Sequence, residues 1–207
     1  MASEFWTETP TLKGAHVVLR PTTLDDVEGL AIAHDDPDTL RYFPFGIESE
    51  PPSRKSVEHA LRSGRQMLTQ VDAASGEIVG TTSLYEMSEP HRRVTIGYTW
   101  ISSRARGKAI NAESKLLVLE HIFGTLAARR AQLNVDDLNV RSRAAVLGLG
   151  AQQEGALRDH ARRRDGSRRT TIVYSVIASE WPTVRDGLRA RIADRMASAA
   201  PNPTGTS

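Results

Sequence analysis

No cysteine occurs in this 207-residue chain, which excludes disulfides, thiolate nucleophiles and cysteine-ligated metals together. Long apolar runs are missing too: none approaches the ~18 residues that a membrane span needs. The opening M-A-S-E-F-W-T-E-T-P has neither a basic nor an apolar export region. We therefore expect a cytoplasmic protein with no membrane association. Charge of either sign is not in excess. With 27 basic and 25 acidic residues the net charge is +2, too little for bulk attraction to nucleic acid. The histidines other than His91 (His16, His34, His59, His121 and His160) show no metal-ligand spacing, so no metal site is expected. No internal repeat is present. What remains is an ordinary soluble composition, 39% hydrophobic and 25% charged, at a length that favours one domain.

The pattern along the chain alternates between two periods. H-V-V-L-R-P (16–21) reads as a strand closed by Pro21. A helix follows with Thr23 as N-cap, Asp25 and Asp26 in its first turn, and Val27, Leu30 and Ala31 as its apolar face. D-P-D-T-L-R-Y-F-P-F-G (36–46) is broken by prolines into a short helix and an aromatic loop. Residues 53–65 form a helix capped by Ser53, with Glu58 and Arg62 at pairing distance. Strand-like runs at 66–72, 77–86 and 94–101 are joined by short turns, which predicts an antiparallel meander. A long helix after residue 107 feeds a strand at 129–135, and a helix at 139–149 ends at Gly150. Two last strands, 151–159 and 168–177, flank an arginine-rich D-G turn. After Trp181-Pro182 a helix runs to about residue 199 with Val184, Leu188, Ile192 and Met196 on one face. The segment 200–207 is expected to be a frayed tail. This order predicts a mixed α/β fold rather than a uniformly alternating one.

The most informative stretch is R-A-R-G-K-A-I-N-A (104–112), at a strand-to-helix junction. A helix start presents N–H groups with no acceptor inside the helix, and its dipole end favours anions. Gly107 can adopt backbone angles that other residues avoid, and Ala109 and Ala112 keep bulk out of the approach path. Arg104, Arg106 and Lys108 add positive charge. The stretch is neither G-x-x-x-x-G-K-[ST] nor G-x-G-x-x-G.

It does match the R-x-x-G-x-A form of an acyl-coenzyme A signature, and with it the chain resembles the GNAT N-acetyltransferases, within them the RimJ/RimL-like group. The resemblance covers roughly residues 10–182 and rests on three pieces in order. These are K-G-A-H-V-V-L-R-P-T-T-L-D-D-V-E-G-L, then I-G-Y-T-W-I-S-S-R-A-R-G-K-A, then L-N-V-D-D-L-N-V-R-S-R-A-A-V-L-G-L-G-A-Q-Q-E-G-A-L-R. The resemblance implies a GNAT fold over residues 1–182, with a mostly antiparallel mixed sheet, flanking helices and splayed strands at the cofactor site. The helix at 183–199 would be appended to it. It implies acetyl-CoA, or another acyl-CoA, as acyl donor. Arg104, Ala105, Arg106, Gly107, Lys108 and Ala109 would cradle the pyrophosphate. Ile101 and Ser102 would contact the pantetheine, and Asn139 and Ser142 would face the arm and the transfer centre. Asn139 is equally a good N-cap, and the two roles are compatible.

Acyl transfer to an amine needs a neutral amine, a stabilised oxyanion and a proton for the leaving thiolate. Where many relatives place a tyrosine acid this chain has Val146, and the resemblance implies Ser142 as the hydroxyl that hydrogen-bonds the sulfur instead. Where a glutamate is common in E-I-G-Y this chain has Thr95, which is no base near neutral pH. Glu86, Glu89 and His91 lie just upstream and are the candidate bases, with Glu113 a weaker one. Each is otherwise an ordinary strand-edge or loop residue, and Glu113 is also a favourable first-turn acid. The hairpin tip at 162–169 reads as a charged turn that could border the acceptor, without aromatic residues to stack bases. The resemblance implies an amine-bearing small molecule or protein as acceptor; nucleic acid is not expected as a partner, and a monomer or homodimer is expected. The competing reading is a degenerate GNAT fold that binds acyl-CoA as a regulatory or interaction module.

Overall fold

The computed structural model describes residues 4–199, and the tail expected at 200–207 lies outside them. A short helix α1 (Glu4–Thr7) and strand β1 (Leu12–Lys13) precede β2 (Val17–Pro21). A 3-10 turn then leads into α2 (Val27–Ala33), and α3 (Arg54–Arg62) follows. The meander is β3 (Gln66–Asp72), β4 (Ile78–Ser88) and β5 (Arg93–Ile101). Next come α4 (Ala109–Glu120), β6 (Arg130–Asp136) and α5 (Val140–Leu149). The hairpin β7 (Gln152–Arg162) and β8 (Arg168–Ile177) precedes α6 (Trp181–Ala199).

The eight strands form one sheet in the order β1-β2-β3-β4-β5-β6-β8-β7, antiparallel everywhere except between β5 and β6. That parallel contact follows from the connection. A helical crossover, α4, returns the chain to the same end before β6 begins, which only a parallel neighbour requires. The contact is also short. Arg93–Ile96 pairs with Arg130–Leu133, and there the register ends. Beyond it β5 stays bound to β4 as far as Ile101, and β6 stays bound to β8 as far as Asp136. Held from outside, both strands remain extended while they part.

Adjacent residues on β3 show that the sheet has two covered faces: Leu68 belongs to one core and Met67 to the other. The larger core joins Val94, Ile96, Leu133, Val135 and Tyr174 to α4, α5 and α6. The smaller joins Met67 and Trp100 to Leu30, Ala33, Val57 and Ala60 of α2 and α3. Each fully buried leucine, such as Leu119, stabilises the fold by about 1.5–3 kcal/mol relative to an exposed one.

Two expected faces are corrected. On α2 the inward residues are Leu30 and Ala33, and Ala31 is exposed, because it lies about 100° around the helix from Leu30. On α6 the stripe packs against the main core, but Met196 is 45% exposed whereas Val184 is 5% and Leu188 2%. Steps of four residues drift by about 40° per step in a 3.6-residue helix, so the fourth member has left the contact. The α4 crossover also ends in an unforeseen π-turn, His121–Thr125.

Candidate active site

The gap between the parted strands opens toward the start of α4. Gly107 has φ +80, and a methyl group added there would meet nothing within 4 Å, so the loop has open space at its tightest bend. Lys108 occupies the N-cap position but provides no side-chain cap, which leaves the first-turn N–H groups of α4 without intrahelical or capping acceptors. Ala105 and Ala109 are buried against the fold and fix the loop from below. Ser102 is fully buried with a hydroxyl that bonds nothing among the described residues, at the end of β5 where the gap begins. Ile101 packs at the edge of the main core.

The arginines of the loop are spent on protein partners. Arg104 donates to the Ile78 carbonyl at 3.1 Å and pairs with Glu77 at 3.4 Å. Arg106 binds Asp36 at 2.5 Å and the Thr39 hydroxyl at 2.8 Å. The neighbouring Asp35 accepts from the Ser103 N–H at 2.7 Å and its hydroxyl at 2.8 Å. The segment after α2 therefore straps the loop in place. Lys108 makes no ion pair among the described residues, so its ammonium remains available for a ligand.

On the other lip, Asn139 is the N-cap of α5 and accepts from the Ser142 N–H at 3.0 Å. Ser142 is half-buried, and its hydroxyl makes no hydrogen bond to another described residue. Val146 faces the main core, so the apolar residue there is simply a packing residue.

The second face of the sheet carries polar chemistry that sequence spacing does not reveal. Two bulges create it. At Tyr98, φ is +49, and the register shifts so that Tyr98 and Thr99 together oppose Thr82. At Glu86, φ is +48, within the shift between Tyr85 and Ser88. This irregularity lets consecutive residues reach the same face. The Thr95 hydroxyl donates to the Glu86 carboxylate at 3.0 Å, while Asn134 donates to the Tyr85 hydroxyl at 3.3 Å. A carboxylate of the adjacent strand thus lies against Thr95. Burial pushes the Tyr85 hydroxyl up to about 12 and raises that of Tyr98, so both phenols stay protonated near neutrality.

Beside Tyr98 lies a pocket of about 40 Å³, floored by Leu30, Val57, Met67 and Trp100 and rimmed by Glu48 and Arg65. Arg65 and Glu48 form an ion pair, and the guanidinium lies 3.9 Å from the Tyr98 ring centroid. None of Tyr98, Glu48 or Arg65 was singled out by sequence, because the pocket is assembled from three separate segments.

The remaining candidates lie elsewhere. Glu89 and His91 sit in the turn between β4 and β5, at the paired end of the strands. The strand from Arg93 to Tyr98 spans about 17 Å, so this turn is remote from the gap. Glu113 is 7% exposed, and its carboxylate accepts from the backbone N–H groups of Ala15, His16 and Val17 at 2.9, 2.6 and 2.8 Å. It fastens the β1–β2 turn to α4. In the hairpin, Arg163 and Arg169 are buried, and Arg163 binds Asp136 at 2.8 and 3.0 Å and Asp137 at 2.6 Å. Those two arginines anchor the hairpin to the end of β6. Among the described residues no group of three potential ligands could hold a metal, and no helix is long and apolar enough to cross a membrane.

A sheet that parts beside one parallel contact, with a glycine loop and an uncapped helix start at the opening, can seat an extended phosphate-bearing molecule. The family model for the acetyltransferase (GNAT) domain matches residues 16–152. The chain belongs to the GNAT acetyltransferase family and is an N-acetyltransferase. It is 27% identical over 180 residues to the uncharacterized N-acetyltransferase YoaA of Bacillus subtilis (strain 168), covering 81% of this chain and 97% of YoaA. A crystal structure assigned as an acetyltransferase from T. thermophilus superposes with a TM-score of 0.80 at 33% identity, over 90% of this chain and 99% of that one. Mycobacterium smegmatis RimJ in complex with CoA-disulfide superposes with a TM-score of 0.73 at 26% identity, over 92% and 97% of the two chains.

Proposed function

We propose that this chain moves an acetyl or other short acyl group from coenzyme A to an amine of a protein N-terminus, a lysine or a small molecule. The observation that carries this reading is the gap between β5 and β6, which opens onto the uncapped start of α4. In this reading the N–H groups from Gly107 onward hold the pyrophosphate, aided by the Lys108 ammonium. Arg104, Ala105, Arg106 and Ala109 give the loop its shape. The unpaired edge of β5 up to Ile101, together with Ser102, binds the pantetheine arm, and Asn139 and Ser142 face it from the opposite lip.

The bound acyl-CoA supplies a thioester carbonyl as the electrophile. The amine arrives on the second face of the sheet, where the pocket beside Tyr98 receives the group that bears it. Glu86 accepts the proton that the amine loses, directly or through water, with Thr95 orienting the carboxylate. About 10 Å of strand separates Thr95 from Tyr98, which favours the water-mediated route.

A second reading, an acyl-CoA-binding module without turnover, draws on Val146 and Thr95. The contact between Thr95 and Glu86 weighs against it, because it restores a carboxylate to the site. A thiol-release assay against a panel of amines and N-terminal peptides tests the choice. Release of coenzyme A with at least one acceptor is expected. Binding of acetyl-CoA without release across the whole panel would favour the module.

A further inference from the structure

One ammonium on the sheet side of α4 has no counter-charge. Lys115 Nζ donates to the Thr99 hydroxyl at 2.9 Å and approaches the Thr82 hydroxyl at 3.4 Å, and it forms no ion pair among the described residues. Thr99 belongs to the stretch of β5 that lies past Ile96, where the pairing to β6 has ended. The lysine is therefore tied to the strand that lines the gap, on the side where α4 packs. Part of the residue's surface stays exposed, while its ammonium is withdrawn from water against the two hydroxyls.

The charged groups on the elements around it are turned elsewhere. On α4 itself, Glu113 is occupied by the amides of residues 15–17, and Glu120 pairs with Arg189 of α6. Arg195 of α6 donates to the Lys108 carbonyl, and Arg20 of β2 is bound to Asp26. β4 and β5 offer only the two threonine hydroxyls. An ammonium desolvated in this way loses its proton more readily, and burial brings Lys115 down to about 8. The alkyl thiol of coenzyme A is a weaker acid than this ammonium, so proton transfer from the ammonium to a departing thiolate runs downhill. A serine hydroxyl such as that of Ser142 can orient a sulfur but gives up its proton far less readily.

We propose that Lys115 is the proton donor to the departing thiolate of coenzyme A, the task for which Val146 offers no group. This inference rests on the acyltransferase reading above. As the carbon–sulfur bond breaks, its electron pair stays on sulfur and takes a proton from the Lys115 ammonium. The carbonyl carbon keeps its new bond to the acceptor nitrogen, whose surplus proton goes to Glu86 or solvent. Neutral Lys115 is then reprotonated from solvent. No oxidant or further reactant is needed.

The test uses coenzyme A itself, with its thiolate followed by ultraviolet absorbance as pH is raised on the wild type, Lys115→Met and Lys115→Arg. In the wild type the bound thiol should ionise at least tenfold more readily than free coenzyme A. Lys115→Met should abolish that shift while binding coenzyme A with nearly unchanged affinity by calorimetry. Lys115→Arg should keep the shift, because a fixed cation remains, yet lose most of kcat, because guanidinium does not release its proton. An identical thiol titration in wild type and Lys115→Met would overturn the assignment, since a lysine that only packs leaves the thiol unmoved. Failure of the folded wild type to bind coenzyme A would instead overturn the acyltransferase reading, and this inference with it.

Discussion

Replacing Glu113 separates a structural from a chemical role for the most enclosed carboxylate near the loop. Its two oxygens accept three backbone N–H groups, from Ala15, His16 and Val17, and the side chain is 7% exposed. A hydrogen bond to a charged group contributes about 1.5–3 kcal/mol, and a buried donor left without an acceptor costs about 1–3 kcal/mol. Val17 is fully buried, so its N–H has no recourse to water, whereas Ala15 and His16 lie nearer the surface and can be rehydrated in part. Glu113→Ala should therefore destabilise the protein by about 3–5 kcal/mol, a large share of the roughly 5–15 kcal/mol of a typical domain. Glu113→Gln keeps one good acceptor and should cost about 1–3 kcal/mol. Gly14→Ala should act on the same contact from the other side, since the added carbon would lie 2.5 Å from the Glu113 carboxyl. Urea titration at pH 7 measures these losses, and thiol release per folded molecule measures turnover. The reasoning is refuted if Glu113→Gln keeps wild-type stability while kcat drops a hundredfold, because that is the signature of a base.

Three further outcomes follow from the site and its surroundings. Ser142→Ala should slow turnover several-fold while leaving acetyl-CoA affinity nearly intact in calorimetry; equal loss of both would make it a binding residue. Glu86→Gln should lower kcat/KM for the amine by about 10- to 100-fold with cofactor affinity unchanged, and the Thr95→Val change should give a smaller loss in the same assay. The Arg130 guanidinium beside Glu154 holds its carboxyl down at about 2, below the ordinary value of 4.5. A depressed folded-state value means that the stabilisation is complete above pH 4.5 and is lost as pH falls toward 2. The pair is partly exposed, so its effect is small, but Glu154→Gln should flatten the stability curve in that window, with a slight loss of stability at pH 7 that vanishes toward pH 2.

What sequence could reveal was local. The loop at 104–109 is one contiguous segment, and its glycine, small residues and helix start are all visible as residue types. The N-cap at Asn139 and the stripe on α6 are likewise set by spacing over a few residues. The opening of β5 away from β6 follows only from the register, which no composition encodes. The two bulges are hidden for a similar reason: Glu86 and Tyr98 take positive φ without being glycine, so nothing in their type signals a turn. The contacts that matter most chemically join different elements, as in Thr95 with Glu86, Lys115 with Thr99 and Arg163 with Asp136. Glu113 shows the converse. A first-turn acid is what its position suggests, yet its oxygens are used by a strand turn almost a hundred residues away.

The account stands on the claim that the loop before α4 holds an acyl-coenzyme A phosphate group, and calorimetric titration with acetyl-CoA tests it most directly. The wild type should bind one equivalent, and Gly107→Glu should weaken binding at least a hundredfold, because it places a negative side chain into the open space at that bend and strains its backbone. Equal affinity in a folded Gly107→Glu protein, or no binding by the wild type, would contradict the account.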